Sequence, residues 1–236
     1  MRRLTEDPGA LETSAPNFYA SPLGQMAAAA IARRVRGLWP DLDGQSVLGL
    51  GYPEPYLHLW RTQAYRCVAA TTAHHTPAPG SAAIDAVRLP FPDLVFDRIL
   101  VIHGVEPAGQ DSRVLREIWR VLKDDGRILV VAPNRVGLWA HAESTPFGQG
   151  QPYSRGQLHR LLASAMFRAE RHDAALFAPP SQSRLALRLA PLCEAAGHAL
   201  VPRLCGAIVV EAVKDTYAAL PTAAAVRRRV VLPEVA

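Results

Sequence analysis

Apolar residues along this chain fall either into short unbroken runs or into stripes with helical spacing. Residues 46–51, 96–103 and 127–132 are near-continuous apolar runs, the pattern of strands covered on both faces. Between the last two, residues 111–122 place Val114, Leu115, Ile118 and Leu122 on one stripe and leave Glu117 and Arg120 toward solvent. Asp125-Gly126 predicts the turn into the following strand. Strand, helix and strand in that order, with both strands apolar, predict a parallel pair in a doubly wound α/β sheet.

The rest of the chain extends the pattern. Ser21-Pro22 supplies an N-cap and a proline at the first helical position, and Met26, Ala30, Ile31, Val35 and Leu38 make an inward stripe over 23–38. After a turn at 41–45 and the strand at 46–51, a helix through Tyr56, Leu59 and Trp60 is expected, its start restricted by Pro53 and Pro55. Residues 65–71 read as a second strand, 74–80 as a loop and 83–87 as a short third strand, and Leu89-Pro90-Phe91-Pro92 as a further short strand signal. A long loop over 138–153 contains Thr145-Pro146-Phe147 and Pro152-Tyr153, and loops of that length tend to be functional or disordered. Ser154 caps a helix at 155–165, 167–177 forms a strand, a helix over 183–196 stops at Gly197, and 204–213 is the last strand. No internal repeat is present. The expected organisation is a flexible leader at 1–17, one domain at 18–215 and a basic tail at 216–236.

With 236 residues, 49% of them hydrophobic, the chain can bury one sizeable core. No window reaches the ~20 apolar residues of a membrane span, and Met1-Arg2-Arg3 runs into acids and prolines rather than an apolar signal core, so a cytoplasmic protein with no membrane partner is expected. The three cysteines, Cys67, Cys193 and Cys205, form no CxxC pair, which points away from a metal site or a disulfide framework. A net charge of +5 raises a nucleic-acid partner. The arginines are dispersed, however, and the one dense cluster, Arg227-Arg228-Arg229, lies in the tail, which favours a solvated segment and makes nucleic acid an unlikely partner.

Leu89-Pro90-Phe91, Phe96-Asp97, the run LREIWRVLKDDGRILVV at 115–131 and Pro133-Asn134, following a loop Val47-Leu48-Gly49-Leu50-Gly51-Tyr52-Pro53-Glu54-Pro55, carry a family resemblance. Over roughly residues 46–170 the chain resembles the class I S-adenosylmethionine-dependent methyltransferases of the small-molecule, type 11-like family, with a degenerate glycine-rich motif. The resemblance implies a Rossmann-like, mostly parallel seven-stranded sheet with an antiparallel C-terminal hairpin at its edge, the helix near 184–196 inserted between the hairpin strands. It also implies S-adenosylmethionine as cofactor, in the crevice between the first and fourth strands. Gly49 stands where the family has an acid facing the methionine end, Gly51 is kept beside Tyr52, and Pro53 and Pro55 replace later glycines, removing amide donors. Glu54 is a substitute carboxylate in that loop. Thr71 stands at the family's ribose-binding acid, and Asp85 with the Ala86 amide matches the adenine contact.

His103, opening His103-Gly104-Val105-Glu106, occupies the place that lines the sulfonium and is the candidate catalytic base. Phe147 and Tyr153 are candidate substrate contacts on a lid. Blander readings stand beside each: His103 hydrogen-bonding nearby backbone, Gly49-Leu50-Gly51 as a tight strand exit, and the loop aromatics, with Trp139 and His141, as anchors onto the core. The Asn/Asp-Pro-Pro-aromatic and Pro-Cys signatures of nucleic-acid base methylation are absent. The resemblance therefore implies a methyltransferase acting on a small-molecule substrate, chiefly by holding a nucleophile in line. The alternative is a catalytically impaired domain serving as regulatory or scaffolding partner of another protein, as the departures at 49, 53, 55 and 71 would predict. A nucleic-acid-binding module is the weakest of the three readings.

Overall fold

The computed structural model describes residues 15–72, 81–105 and 111–215. It opens with a short helix, α1 (Ala15–Ala20), followed by α2 (Pro22–Leu38), β1 (Ser46–Gly51), a single helical turn α3 (Glu54–Leu57), β2 (Arg66–Thr72), β3 (Ala82–Ile84) and β4 (Phe96–Ile102). The second half runs α4 (Asp111–Val121), β5 (Leu122–Pro133), α5 (Arg155–Ser164), β6 (Phe167–Ala175), α6 (Arg184–Leu200) and β7 (Ala207–Lys214). The seven strands form one sheet in the order β3-β2-β1-β4-β5-β7-β6. Strands β1 to β5 run parallel to one another, while β7 is antiparallel to both β5 and β6. This is the Rossmann-like sheet with an antiparallel C-terminal pair expected above, and strand order reverses at β1 and β4.

Local chemistry sets these elements. Ser21 is extended and its Oγ accepts the Gly24 amide at 3.1 Å, starting α2 at Pro22. Ser154 and Gln157 form a reciprocal capping box on α5. Alternate strand residues feed two apolar layers. Val47, Leu100, Ile102 and Leu129 pack with α1, α2 and α3 on one face, and Leu48, Ile99, Val101 and Val130 pack with α4 and α5 on the other.

Several expectations are corrected. The leader does not extend to residue 17, because Ala15, Phe18 and Tyr19 are buried in α1; residues 1–14 and 216–236 lie outside the described residues, as does most of the 74–80 loop. The helix after β1 is only four residues long, since Pro53 precedes it and Pro55 falls within it. Strand β3 ends at Ile84, and Asp85 closes a turn by accepting the Val87 amide at 3.0 Å. Asp125-Gly126 does not separate helix from strand. It lies within β5, in a bulge between the Phe96–Leu122 and Arg98–Arg127 pairs, where Lys123 Nζ reaches Asp97 at 2.7 Å.

Leu89-Pro90-Phe91 is not a strand either. Arg120 donates to the Leu89 and Phe91 carbonyls and to Asp93, and Glu117 accepts the Leu89 amide at 3.0 Å, so the two charged residues assigned to solvent clamp this segment to α4. Helix α6 passes through Gly197 to Leu200. That glycine is a packing site, where a Cβ would lie 2.4 Å from Phe177 Cβ, and the following strand begins at Ala207 rather than 204.

Candidate active site

The crevice at the strand reversal is drawn tight by backbone. Gly51 has φ +96°, a conformation L side chains rarely adopt, and a Cβ there would lie 2.0 Å from the Ile102 carbonyl oxygen. The next amide, of Tyr52, donates to that same oxygen at 2.8 Å. The ends of β1 and β4 are thereby locked together, and His103 emerges from β4 at φ 54° directly beside them.

The His103 ring is buried among aromatic side chains. Its Nε2 lies 2.9 Å from the Tyr19 hydroxyl, to which Tyr56 donates at 3.1 Å. Phe147 meets His103 edge-on at 4.7 Å and in turn packs on Phe18 and Trp139. Tyr52 stacks on Tyr19 with centroids 5.4 Å apart. Burial raises the Tyr56 hydroxyl pKa, an effect only partly offset by its bond to Tyr19, and burial followed by the Glu54 charge raises that of Tyr52. Tyr52 and Tyr56 are therefore protonated hydrogen-bonding groups at neutral pH.

Tyr19 and Tyr56 are the residues that sequence reasoning missed. Tyr19 was separated from the site by its placement beside the leader. The signal present was the apolar pair Phe18-Tyr19 immediately before the Ser21-Pro22 cap, which is the composition of a docked segment rather than a free one.

The glycine-rich loop has a compact structure of its own. Gly49 is buried in β1, and a Cβ there would fall 2.4 Å from Pro53 Cβ and 2.9 Å from Leu57 Cδ1. Pro53 and Leu57 thus fill the space into which any side chain at 49 would project. Pro53 also turns the loop so that Glu54 reaches the end of β2, where Thr71 donates to Glu54 Oε1 at 2.7 Å and shares a second hydrogen bond with Ser81. The other carboxylate oxygen, Glu54 Oε2, is buried without a hydrogen-bond partner among the described residues. Asp85 is exposed at the end of β3 and Ala86 sits in the turn it closes.

These features bear on S-adenosylmethionine unevenly. A buried carboxylate oxygen lacking a donor, beside the end of β2, suits a ribose hydroxyl, so Glu54 and Thr71 are residues whose chemistry could hold that part of the cofactor. Position 49 supplies no carboxylate, and the Tyr52 amide is already bonded to the Ile102 carbonyl. Of the two candidate substrate contacts, only Phe147 joins His103. Tyr153 lies in the apolar layer on the opposite face, its hydroxyl donating to the Val105 carbonyl at 2.8 Å, and both aromatics are buried rather than displayed on a lid. Glu106 lies outside the described residues. Asn134, of the Pro-Asn signature, ties β5 to the segment before β7 through the Arg203 and Cys205 carbonyls at 3.0 and 2.8 Å.

Residues 54–130 match the family model described as a methyltransferase domain. A ubiquinone/menaquinone biosynthesis C-methyltransferase of Bordetella avium is 46% identical over 55 residues, 23% of this chain and 22% of the relative. A demethylmenaquinone methyltransferase of Mycobacterium bovis is 38% identical over 95 residues, 37% of this chain and 40% of the relative. The chain thus spans between about a fifth and two fifths of the length of these curated relatives. Among solved structures, an S-adenosylmethionine-dependent methyltransferase of Thermotoga maritima superposes with a TM-score of 0.60 at 16% identity, over 85% of this chain and 94% of that one. The chain has the class I methyltransferase fold, and its residues 54–130 carry the sequence signature of the methyltransferase domain.

Proposed function

We propose that this domain binds S-adenosylmethionine and methylates a small, apolar, hydroxylated aromatic acceptor, with His103 as the proton acceptor. The observation that carries the reading is His103 itself: a buried imidazole at the strand reversal, its Nε2 held by Tyr19 and its ring enclosed by Phe147. The names of the short-range relatives favour an acceptor of quinone type methylated at carbon.

When bound, the cofactor supplies the electrophilic methyl group. Glu54 and Thr71 would hold its ribose, and the Asp85–Ala86 turn its adenine edge. The Tyr52, Tyr19 and Phe147 rings pack around His103 and keep water from it, an apolar surround suited to an aromatic acceptor. His103 takes the proton that the acceptor loses, and Tyr19 and Tyr56 fix the orientation of the imidazole. Isothermal titration with S-adenosylmethionine tests the first step. Micromolar binding that is weakened about tenfold or more in Glu54→Gln, as expected for losing a charge-assisted hydrogen bond, supports the reading. No heat, and no thermal shift at millimolar ligand, overturns it.

One observation favours the second reading, a methyltransferase-like domain acting through a protein partner: Pro53 occupies the position of the family's acid at 49. In that case cofactor binding is absent in the titration, and affinity purification of the tagged chain recovers one stoichiometric partner.

A further inference from the structure

Helix α6 carries an outward stripe of leucines. Leu185, Leu189, Leu192 and Leu200 recur at helical spacing on one face, and Leu192 is 67% and Leu200 78% exposed. The stripe continues past the end of the helix into Val201 and Leu204, and across to Val136 and Leu138 in the loop after β5, the latter 64% exposed. The two segments are joined by hydrogen bonds: Asn134 Nδ2 donates to the Arg203 carbonyl, and Arg155 donates to the Pro202 carbonyl at 3.2 Å. Exposed apolar side chains gathered on adjacent segments in this way mark an interaction site.

The charge around it is mainly positive. Arg184, Arg188 and Arg203 flank the leucines, and Arg135 and Arg155 border the loop segment; all five are exposed. Residues 177–206 contain a single acid, Glu194, and it points inward, accepting the amides of Leu176, Phe177 and Ala178. Its carboxylate is buried, so α6 shows solvent apolar and cationic groups without a compensating anion. The loop segment follows the C-terminal end of β5, the same end of the sheet as His103, and its Trp139 turns inward to pack on Phe147.

We propose that this face docks peripherally on an anionic lipid bilayer, the leucines entering the acyl boundary and the arginines pairing with phosphate headgroups. Among the described residues no helix is long and apolar enough to cross a membrane, and surface docking needs none. A protein partner would match the leucines equally well, but five exposed arginines against one exposed acid, Glu143, are complementary to a surface of uniform negative charge. Docking brings the His103 end of the sheet to the lipid, where an apolar small molecule concentrates. The inference stands apart from methyl transfer, because it rests on exposure and charge alone.

Co-sedimentation of the full chain with vesicles tests it. Vesicles of phosphatidylcholine containing about a third phosphatidylglycerol are expected to bind the chain and pure phosphatidylcholine vesicles to leave it in solution, with binding weakening as salt rises. Leu192→Asp with Leu204→Asp, both at exposed positions, should lower partitioning at least about tenfold, and Arg184→Glu with Arg188→Glu by roughly fivefold or more for each charge removed. Circular dichroism shows whether each variant keeps its fold, and a variant that does not is replaced by Leu200→Ser, with the same expectation. Absence of binding to anionic vesicles overturns the proposal. So does binding that the leucine variants leave unchanged, which would assign it to the arginines of the tail. A dimer in light scattering that Leu192→Asp converts to monomer, without vesicle binding, overturns it in favour of contact between two copies.

Discussion

Gly49 and Pro53 form one packing unit: the pyrrolidine ring occupies the space into which any side chain at 49 would project. Glycine at 49 and proline at 53 are thus coupled. Gly49→Asp alone should destabilise the domain by about 3 kcal/mol, from overpacking and from a carboxylate buried without a donor. Pro53→Gly together with Gly49→Asp should recover at least about 1 kcal/mol of that loss, a coupling measured by urea denaturation of the two single variants and the double. Additive losses would show that Pro53 does not set the residue at 49.

Tyr19 links α1 to the end of β4 through His103 and to α3 through Tyr56. Tyr19→Phe keeps the ring stacked on Tyr52 but removes the hydroxyl common to both bonds. A loss of about 1–2 kcal/mol is expected, read as a lower Tm. If His103 takes the acceptor's proton, the same variant shifts the acid limb of the pH–rate profile, an effect that a structural hydroxyl would not produce.

Gly197 lies mid-helix against Phe177. Replacing glycine by alanine within a helix ordinarily gains about 1 kcal/mol. Here Gly197→Ala is expected to lose about 1–3 kcal/mol, because the new Cβ would fall 2.4 Å from Phe177 Cβ. A rise in Tm would show that α6 can move away from β6 at little cost.

Acid should unfold the domain through its buried carboxylates. Glu211 on β7 is fully buried, and although burial alone would raise its pKa, Arg171, the Trp39 indole and Arg127 bring it below the usual value. Glu117 is lowered chiefly by Arg120, and Asp97 is lowered, against its burial, by Lys123 and the Ser46 amide. Groups whose folded pKa is depressed contribute stability above the unfolded value of about 4.5, and that stability is lost as pH falls through the folded value. Thermal melts should therefore change little from these groups between pH 7 and about pH 5 and drop steeply below about pH 4.5. Glu211→Gln should melt lower at pH 7, by about 3 kcal/mol from the uncompensated arginines, and show a shallower acid limb.

What could be read from the residues was whatever depends on near neighbours in the chain. Unbroken apolar runs located β1, β4 and the body of β5, because strands covered on both faces need no polar alternation. The Ser21 and Ser154 caps located two helix starts, because capping is completed within four residues. The same locality explains the misreadings. Gly197 and Asp125-Gly126 carry the residue types of a stop and a turn, and each was overridden by a contact made from elsewhere in the chain, Phe177 in one case and the pairing with β4 in the other.

The candidate site depended on tertiary structure. Tyr19 meets His103 across 84 positions and Thr71 meets Glu54 across 17, separations at which sequence has no period to reveal the pair. The sequence alone determined that parallel strands would alternate with helices, since this follows from residue type and spacing. Only the folded chain decided that the proline loop closes on Gly49, that the short helix carrying Tyr19 supports the histidine, and that the leucines of α6 face outward. Those outcomes depend on which surfaces meet when the sheet assembles, a property that no local stretch of the chain contains.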